Sequence, residues 1–162
     1  MNRGLKYLLR LNKNKNRQFI FDLDKTLWDY TVECAPHING KDVLNYVHKS
    51  RRTILNAIQQ DGHTLNIASR SKDPDKCKYL LKIAYPDVYF SNIQIFNTED
   101  SKQKHIENIM GEKLNKEPFH FFDDELHLIK DIEHKNERVW GYHTPNGLNY
   151  NIFNYNKKNE QI

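Results

Sequence analysis

Two aspartates, Asp22 and Asp24, stand two residues apart where the apolar run Phe19-Ile20-Phe21 ends. Carboxylates at that spacing, just past a strand, can both reach one small volume and divide labour. One oxygen of Asp22 can attack phosphorus while the other binds a cation, and Asp24 can give a proton to the leaving oxygen and later take one from water. The plain alternative is that acids at a strand end only begin a turn, with Thr26 as a turn residue rather than a hydroxyl that holds the loop.

Three more groups of residues bear on that choice. Ser69 and Arg70 follow the apolar run Leu65 to Ala68. The Ser69 hydroxyl and its neighbouring backbone N–H groups either bind a phosphoryl oxygen or make a local turn, and Arg70 reaches either the substrate or the surface. Lys102 falls in the first turn of a helix expected to open at Ser101, where a cation opposes the macrodipole and costs a few tenths of a kcal/mol. Either the neighbouring Glu99 and Asp100 or a bound phosphate must compensate it. Asp123, Asp124 and Glu125 follow Phe121-Phe122, as an acidic helix start or as ligands for a hard cation. Beside Asp22 and Asp24 these carboxylates repel one another, and a small divalent cation relieves that. All the donors are oxygens, which points to Mg²⁺.

Other residues carry less. His120, His127 and His134 recur every seven positions, but one falls on a strand and two on or past a helix, so no metal role is assigned to them. Trp28 and Tyr30 either line the mouth of the site or pack in the core. Cys34 and Cys77 form no C-x-x-C pair and read as ordinary thiols.

The elements that position these residues alternate. Strands are expected at Phe19–Phe21, Leu65–Ala68, Ile93–Phe96, Phe119–Phe122 and Val139–Tyr142. Between them, apolar spacing predicts a helix from Val43 to Gly62, one capped by Asp73-Pro74 and ending at Tyr85-Pro86, one from Ser101 to Gly111 and one through Leu126, Ile129 and Ile132. A terminal helix is expected from Leu148 to Tyr155. Alternation of this kind means an α/β domain on a parallel sheet, whose ligands gather at the C-terminal edge of the strands.

At 162 residues the chain has room for one domain, and 38% hydrophobic residues allow a core. No apolar run approaches the roughly 20 residues that span a bilayer, and Leu5 to Leu11 is too short and too interrupted for a secretory signal, so a soluble cytoplasmic protein without membrane contact is expected. The basic pI of about 8.9 is local. Six cations and no acid precede Asp22, whereas the rest carries 19 cations against 21 acids. Residues 1–16 are therefore read as a basic leader, either solvated or touching nucleic acid, and 17–162 as the catalytic domain.

Taken together, Phe19 to Trp28, Ser69-Arg70-Ser71, Lys102 and Phe121 to Glu125 resemble the haloacid dehalogenase (HAD) superfamily of phosphohydrolases. More narrowly they resemble its magnesium-dependent phosphatase / acid phosphatase branch, which His143 to Leu148 with Asn146-Gly147 also fits. The resemblance covers roughly Phe19 to Tyr150. It implies a Rossmann-like three-layer α/β/α sandwich with a central, mainly parallel sheet. By the same resemblance Asp22 is the nucleophile, Asp24 the general acid/base, Ser69 and Lys102 the phosphate binders, and Asp123 a Mg²⁺ ligand joined by Asp22 and the main-chain carbonyl of Asp24. Asp124 would position metal waters or Lys102. Lys25 departs from the pattern, standing where glycine is common.

The 42 residues between Thr26 and Ser69, and the 32 between Ser69 and Lys102, are used up by fold elements, so no sizeable cap domain is expected. The resulting expectation is a Mg²⁺-dependent phosphatase with an open site, acting through a phosphoaspartate on a phosphorylated small molecule or macromolecule: a phosphoprotein or phosphotyrosine, or a sugar phosphate. Two rivals stand beside it. One is a 3′-phosphatase-like enzyme acting on nucleic-acid ends, and the other a catalytically silent binding module of the same fold.

Overall fold

In the computed structural model, which describes residues 2–154, five parallel strands form one sheet in the order β3-β2-β1-β4-β5. The strands are β1 (Gln18–Phe21), β2 (Thr64–Ser69), β3 (Phe90–Ile95), β4 (Phe119–Asp123) and β5 (Val139–His143). The helices are α1 (Arg3–Leu11), α2 (Lys49–Gln60), α3 (Pro74–Ala84), α4 (Gln103–Met110) and α5 (Leu126–Lys135). The chain moves outward from β1 through β2 to β3, then returns to the other side of β1 for β4 and β5. That reversal places the switch point between β1 and β4, where an open α/β sheet forms its ligand crevice.

β1 is buried on both faces, so it reads as a continuous apolar run rather than an alternation. Phe19 and Phe21 point into a core cluster with Ile54 and Leu55 of α2, together with Leu80 and Leu81 of α3. Ile20 points the other way, into a second cluster with Ile106 and Met110 of α4 and Ile129 and Ile132 of α5. Ring stacking crosses the strands on the first face: Phe21 on Phe122 at 4.6 Å, Phe122 on Tyr142 at 4.3 Å and Phe19 on His120 at 4.3 Å between centroids. Each such pair adds about 0.5–1.5 kcal/mol beyond its burial.

Three expectations change. The segment read as a basic leader, solvated or touching nucleic acid, is helical over Arg3–Leu11, with Asn2 as N-cap accepting from the Gly4 and Leu5 amides, and Leu5, Leu8 and Leu9 are buried in the first cluster. Its cations, Lys6 and Arg10 among them, lie on the exposed face, so a charge count alone hides an amphipathic helix. The helix expected from Val43 to Gly62 is two elements, a 3₁₀ helix at Gly40–Tyr46 and then α2. His48 caps α2 by accepting from the Ser50 amide, which starts a new helix inside a nearly continuous apolar pattern. Of the expected terminal helix, residues 151–154 are helical and Tyr155 lies outside the described residues.

The turn that carries Asn146-Gly147 is locked by Arg51 of α2, which is 3% exposed. Its guanidinium donates to the Leu148 carbonyl at 3.1 Å and to Asp29 Oδ1 at 2.6 Å. Gly147 has φ +81°, and a Cβ there would lie 2.1 Å from Arg51 Nη2, so both conformation and space require glycine. No helix among the described residues is long and apolar enough to cross a membrane.

Candidate active site

The acidic residues come together because β1 and β4 are neighbours and end in register. Phe21 pairs with Phe122, and the Asp22 amide donates to the Phe122 carbonyl at 3.0 Å, so Asp22 and Asp123 leave the sheet side by side. Lys102 arrives from the turn before α4. Its Nζ donates to Asp22 Oδ1 and to Asp123 Oδ2, both at 2.7 Å, with 2% of the side chain exposed. Burial alone would push this ammonium down, but the charges of Asp123 and then Asp22 outweigh it and hold the group well above its ordinary range. Asp22 and Asp123 are therefore what compensates Lys102. Of the two neighbouring acids weighed against a bound phosphate for that role, Asp100 instead pairs with His127 at 3.3 Å.

Asp22, Asp24, Ser69, Arg70, Lys102 and Asp124 line one cavity of about 290 Å³ at the C-terminal edge of the sheet. Asp123 sits behind it, 1% exposed. Asp24 turns Oδ1 inward, where it accepts from Trp28 Nε1 at 2.9 Å and from the Val32 amide at 3.2 Å. Burial raises the Asp24 pKa, against the partial opposition of those two bonds. Trp28 and Tyr30 both belong to the core cluster rather than to the mouth of the cavity, and Trp28 is the residue that orients Asp24. Ser69 Oγ accepts from the Ser71 amide at 3.2 Å, so the turn after β2 is closed by this hydroxyl while the residue still faces the cavity. Arg70 donates to the Thr98 carbonyl at 3.3 Å and pairs with Glu125 at 3.1 Å, forming a strut across the rim.

Asp22, Asp123 and Asp124 each offer a carboxylate oxygen, and these oxygens lie within 4.8 Å of one another. Burial, followed by its side-chain hydrogen bond with Asp22 and the charges of Asp22 and Asp123, pushes the Asp124 carboxyl up to about 9. Burial and the charge of Asp22 likewise raise Asp123, in opposition to Lys102. Three carboxylates so close repel one another by more than the single ammonium offsets. An all-oxygen donor set with excess negative charge fits Mg²⁺, and Asp22, Asp123 and Asp124 are the side chains that would hold it.

Several residues at the site escaped the sequence reading. Thr144, fully buried just after β5, meets Thr26 Oγ1 at 3.0 Å, and Thr26 Oγ1 in turn donates to Asp22 Oδ2 at 3.0 Å. The rule of inspecting strand ends, extended to the fifth strand, would have found it. Glu33 also lines the cavity and accepts from the Lys72 amide at 2.5 Å, tying the loop after β1 to the one after β2. It lies in a short 3₁₀ helix with no patterned neighbours, and nothing in the sequence marks it. Thr31 and Asn97 complete the wall unheralded.

Comparison with known proteins places this geometry. The sequence model of the family described as Acid Phosphatase matches residues 16–159. No curated protein matches the sequence. Among solved structures, the chain is similar to the HAD domain of the effector protein Lem4 from Legionella pneumophila, at 13% identity and a TM-score of 0.55, covering 88% of this chain and 93% of that one. It is also similar to a chain of the Pnkp1/Rnl/Hen1 complex, at 16% identity and a TM-score of 0.51, covering 80% of this chain but only 46% of that one. At such identities these two likenesses speak for the fold.

Proposed function

We propose, from the premise that this chain belongs to the acid phosphatase family and is a phosphoric monoester hydrolase of the HAD superfamily, that it works through a phosphoaspartate on Asp22 with Mg²⁺ as cofactor. The observation that carries this reading is Lys102, buried and 2.7 Å from both Asp22 and Asp123 beside a cavity that Asp24 also faces. A carboxylate nucleophile, a candidate acid and a fixed cation then surround one pocket.

In the first step an Asp22 carboxylate oxygen attacks phosphorus and the P–O bond to the leaving group breaks, while Asp24 supplies a proton to the departing oxygen. Its raised pKa suits it to hold that proton. In the second step Asp24 takes a proton from water as the water oxygen attacks phosphorus. The acyl-phosphate P–O bond breaks, returning the Asp22 carboxylate and free phosphate. Lys102 and the hydroxyl of Ser69 stabilise charge on the phosphoryl oxygens. Mg²⁺, held by Asp22, Asp123 and Asp124 and by the main-chain carbonyl of Asp24, would shield the anionic nucleophile from the anionic substrate. Thr26 fixes the rotamer of Asp22.

All described strands belong to the one sheet, and the connection from β1 to α2 contains only two short 3₁₀ helices, which supports an uncapped site open to a phosphoprotein or a sugar phosphate. The nucleic-acid reading draws little from the basic segment, because Lys13, Lys15 and Arg17 lead into the N-terminal end of β1, at the sheet edge opposite the cavity. The test is hydrolysis of p-nitrophenyl phosphate with Mg²⁺ and with a chelator, by the wild type and by Asp22→Asn. Turnover that needs the metal and is lost in the variant is expected. Metal-independent turnover, or an undiminished Asp22→Asn variant, overturns the mechanism.

A further inference from the structure

Among the described residues four non-glycine positions have positive φ: Asn14, Lys25, Asp100 and Asn115. Three are Asn or Asp, whose short polar side chains tolerate the left-handed region. The fourth is Lys25, with φ 62°, and it lies between the two catalytic-motif aspartates and Thr26, on the cavity wall. The turn is closed around it, since the Thr26 and Leu27 amides both donate to the Leu23 carbonyl, at 3.0 and 2.9 Å. Glycine would occupy this position without steric strain. What glycine would lack is the ammonium.

That ammonium is also free. Lys25 is exposed, and among the described residues its side chain has no hydrogen-bond or ion-pair partner. The other charges on the rim are spoken for: Arg70 pairs with Glu125 at 3.1 Å, and Glu33 accepts from the Lys72 amide at 2.5 Å and from Ser71 Oγ at 3.4 Å. Lys102 is consumed by Asp22 and Asp123 deeper in the site. Residues held in such conformations cluster at active sites and ligand clamps, which makes Lys25 a candidate for a role at this one. We infer that Lys25 is a specificity-determining residue that selects phosphomonoesters carrying a second anionic group, held at the mouth of the cavity by its ammonium while the first phosphate lies deeper in the cavity against Asp22. This rests on the phosphatase reading and adds a substrate class to it.

The test uses two matched pairs with Mg²⁺ present: a hexose 6-phosphate against the corresponding 1,6-bisphosphate, and a phosphotyrosine peptide flanked by Asn against one flanked by Asp. The first pair offers the second anion on a small molecule and the second pair on a protein segment. The wild type is expected to favour the doubly anionic member of at least one pair about fivefold or more in kcat/KM, through KM, and to lose the preference as salt is raised. Lys25→Gly and Lys25→Met are expected to bring that ratio to near one, and Lys25→Arg to keep most of it. Lys25→Gly should also melt at a higher temperature than the wild type, so a lost preference cannot be put down to damaged folding. A wild-type ratio near one in both pairs, or a ratio kept in both Gly and Met variants, overturns the inference while leaving the phosphatase reading in place. Absence of any turnover of p-nitrophenyl phosphate overturns both.

Discussion

The hydroxyl of Thr144 donates to the hydroxyl of Thr26, 3.0 Å away and fully buried. The direction follows from proton counting. Thr26 spends its one O–H on the Asp22 carboxylate, which only accepts, so the shared proton between the two threonines must come from Thr144. A chain of two hydroxyls thus runs from the end of β5 to the Asp22 carboxylate.

Thr144→Val is expected to lower kcat on p-nitrophenyl phosphate about tenfold with KM little changed, and to cost about 1–3 kcal/mol of stability, because the Thr26 oxygen loses a buried donor. Thr144→Ser should restore both. A Val variant as active as the Ser variant would show that the chain does not set the Asp22 rotamer.

Lys102→Met is expected to reduce turnover by at least about a hundredfold, the usual scale for removing a group that stabilises developing charge. It also leaves Asp22 and Asp123 buried without their cation, which costs about 3–5 kcal/mol for a broken buried pair. Mg²⁺ should recover part of that stability, and urea unfolding with and without the ion measures it.

Asp24→Asn should be selective in its damage. Where the leaving group is a poor one, as in an alkyl phosphate, loss of the acid is expected to cost about 10²–10⁴-fold. A p-nitrophenolate departs without a proton, so the first step on that ester should suffer much less. Equal losses on the two esters would remove Asp24 from the role of acid. Because burial raises its pKa, the proton-donating form should persist above the ordinary carboxylate range, and activity should decline as pH rises through the raised value.

His120 makes the fold sensitive to acid. Burial lowers its pKa to about 3, while in the unfolded chain the imidazole titrates near 6.5. Between those values the unfolded state binds a proton that the folded state refuses. The stability is therefore complete above about 6.5 and is lost progressively as pH falls toward 3. Urea midpoints should drop from about pH 7.5 to about pH 5, and His120→Phe, which keeps the stack on Phe19, should flatten that dependence.

Gly147→Ala is expected to destabilise by about 2 kcal/mol or more, since the new methyl meets the Arg51 guanidinium and the backbone stays left-handed. Thermal melts of this variant and of Arg51→Met should show the two changes acting on one unit, with less than additive losses when combined.

Much of the site was legible because the sheet itself aims it. Asp22, Ser69 and Asp123 each stand at or just past the end of a buried apolar run, and parallel strands bring such positions to one edge whatever their distance in sequence. Lys102 was visible as a cation at a helix start, although it precedes α4 as its N-cap rather than standing in the first turn as expected, and the charges that satisfy it come from β1 and β4 and not from its neighbours. Glu33 was not legible, since its partners are set by loop packing that no period records, whereas Thr144 stands just past the fifth strand and was overlooked only because that strand end was not inspected. The first helix was obscured for a different reason: its cations dominate any charge count, while the three leucines that seat it are too few to form a conspicuous run.

The close seating of that first helix has a mechanical corollary. A Cβ on Gly4 would come within 2.8 Å of the Phe153 carbonyl carbon and 2.9 Å of the Asn154 nitrogen, so opposite extremities of the described chain are clasped backbone to backbone. Fraying at either extremity unfastens the other, and a protease that nicked the turn near Asn14 would release a plug of three leucines from beneath the strands rather than trim a loose tag.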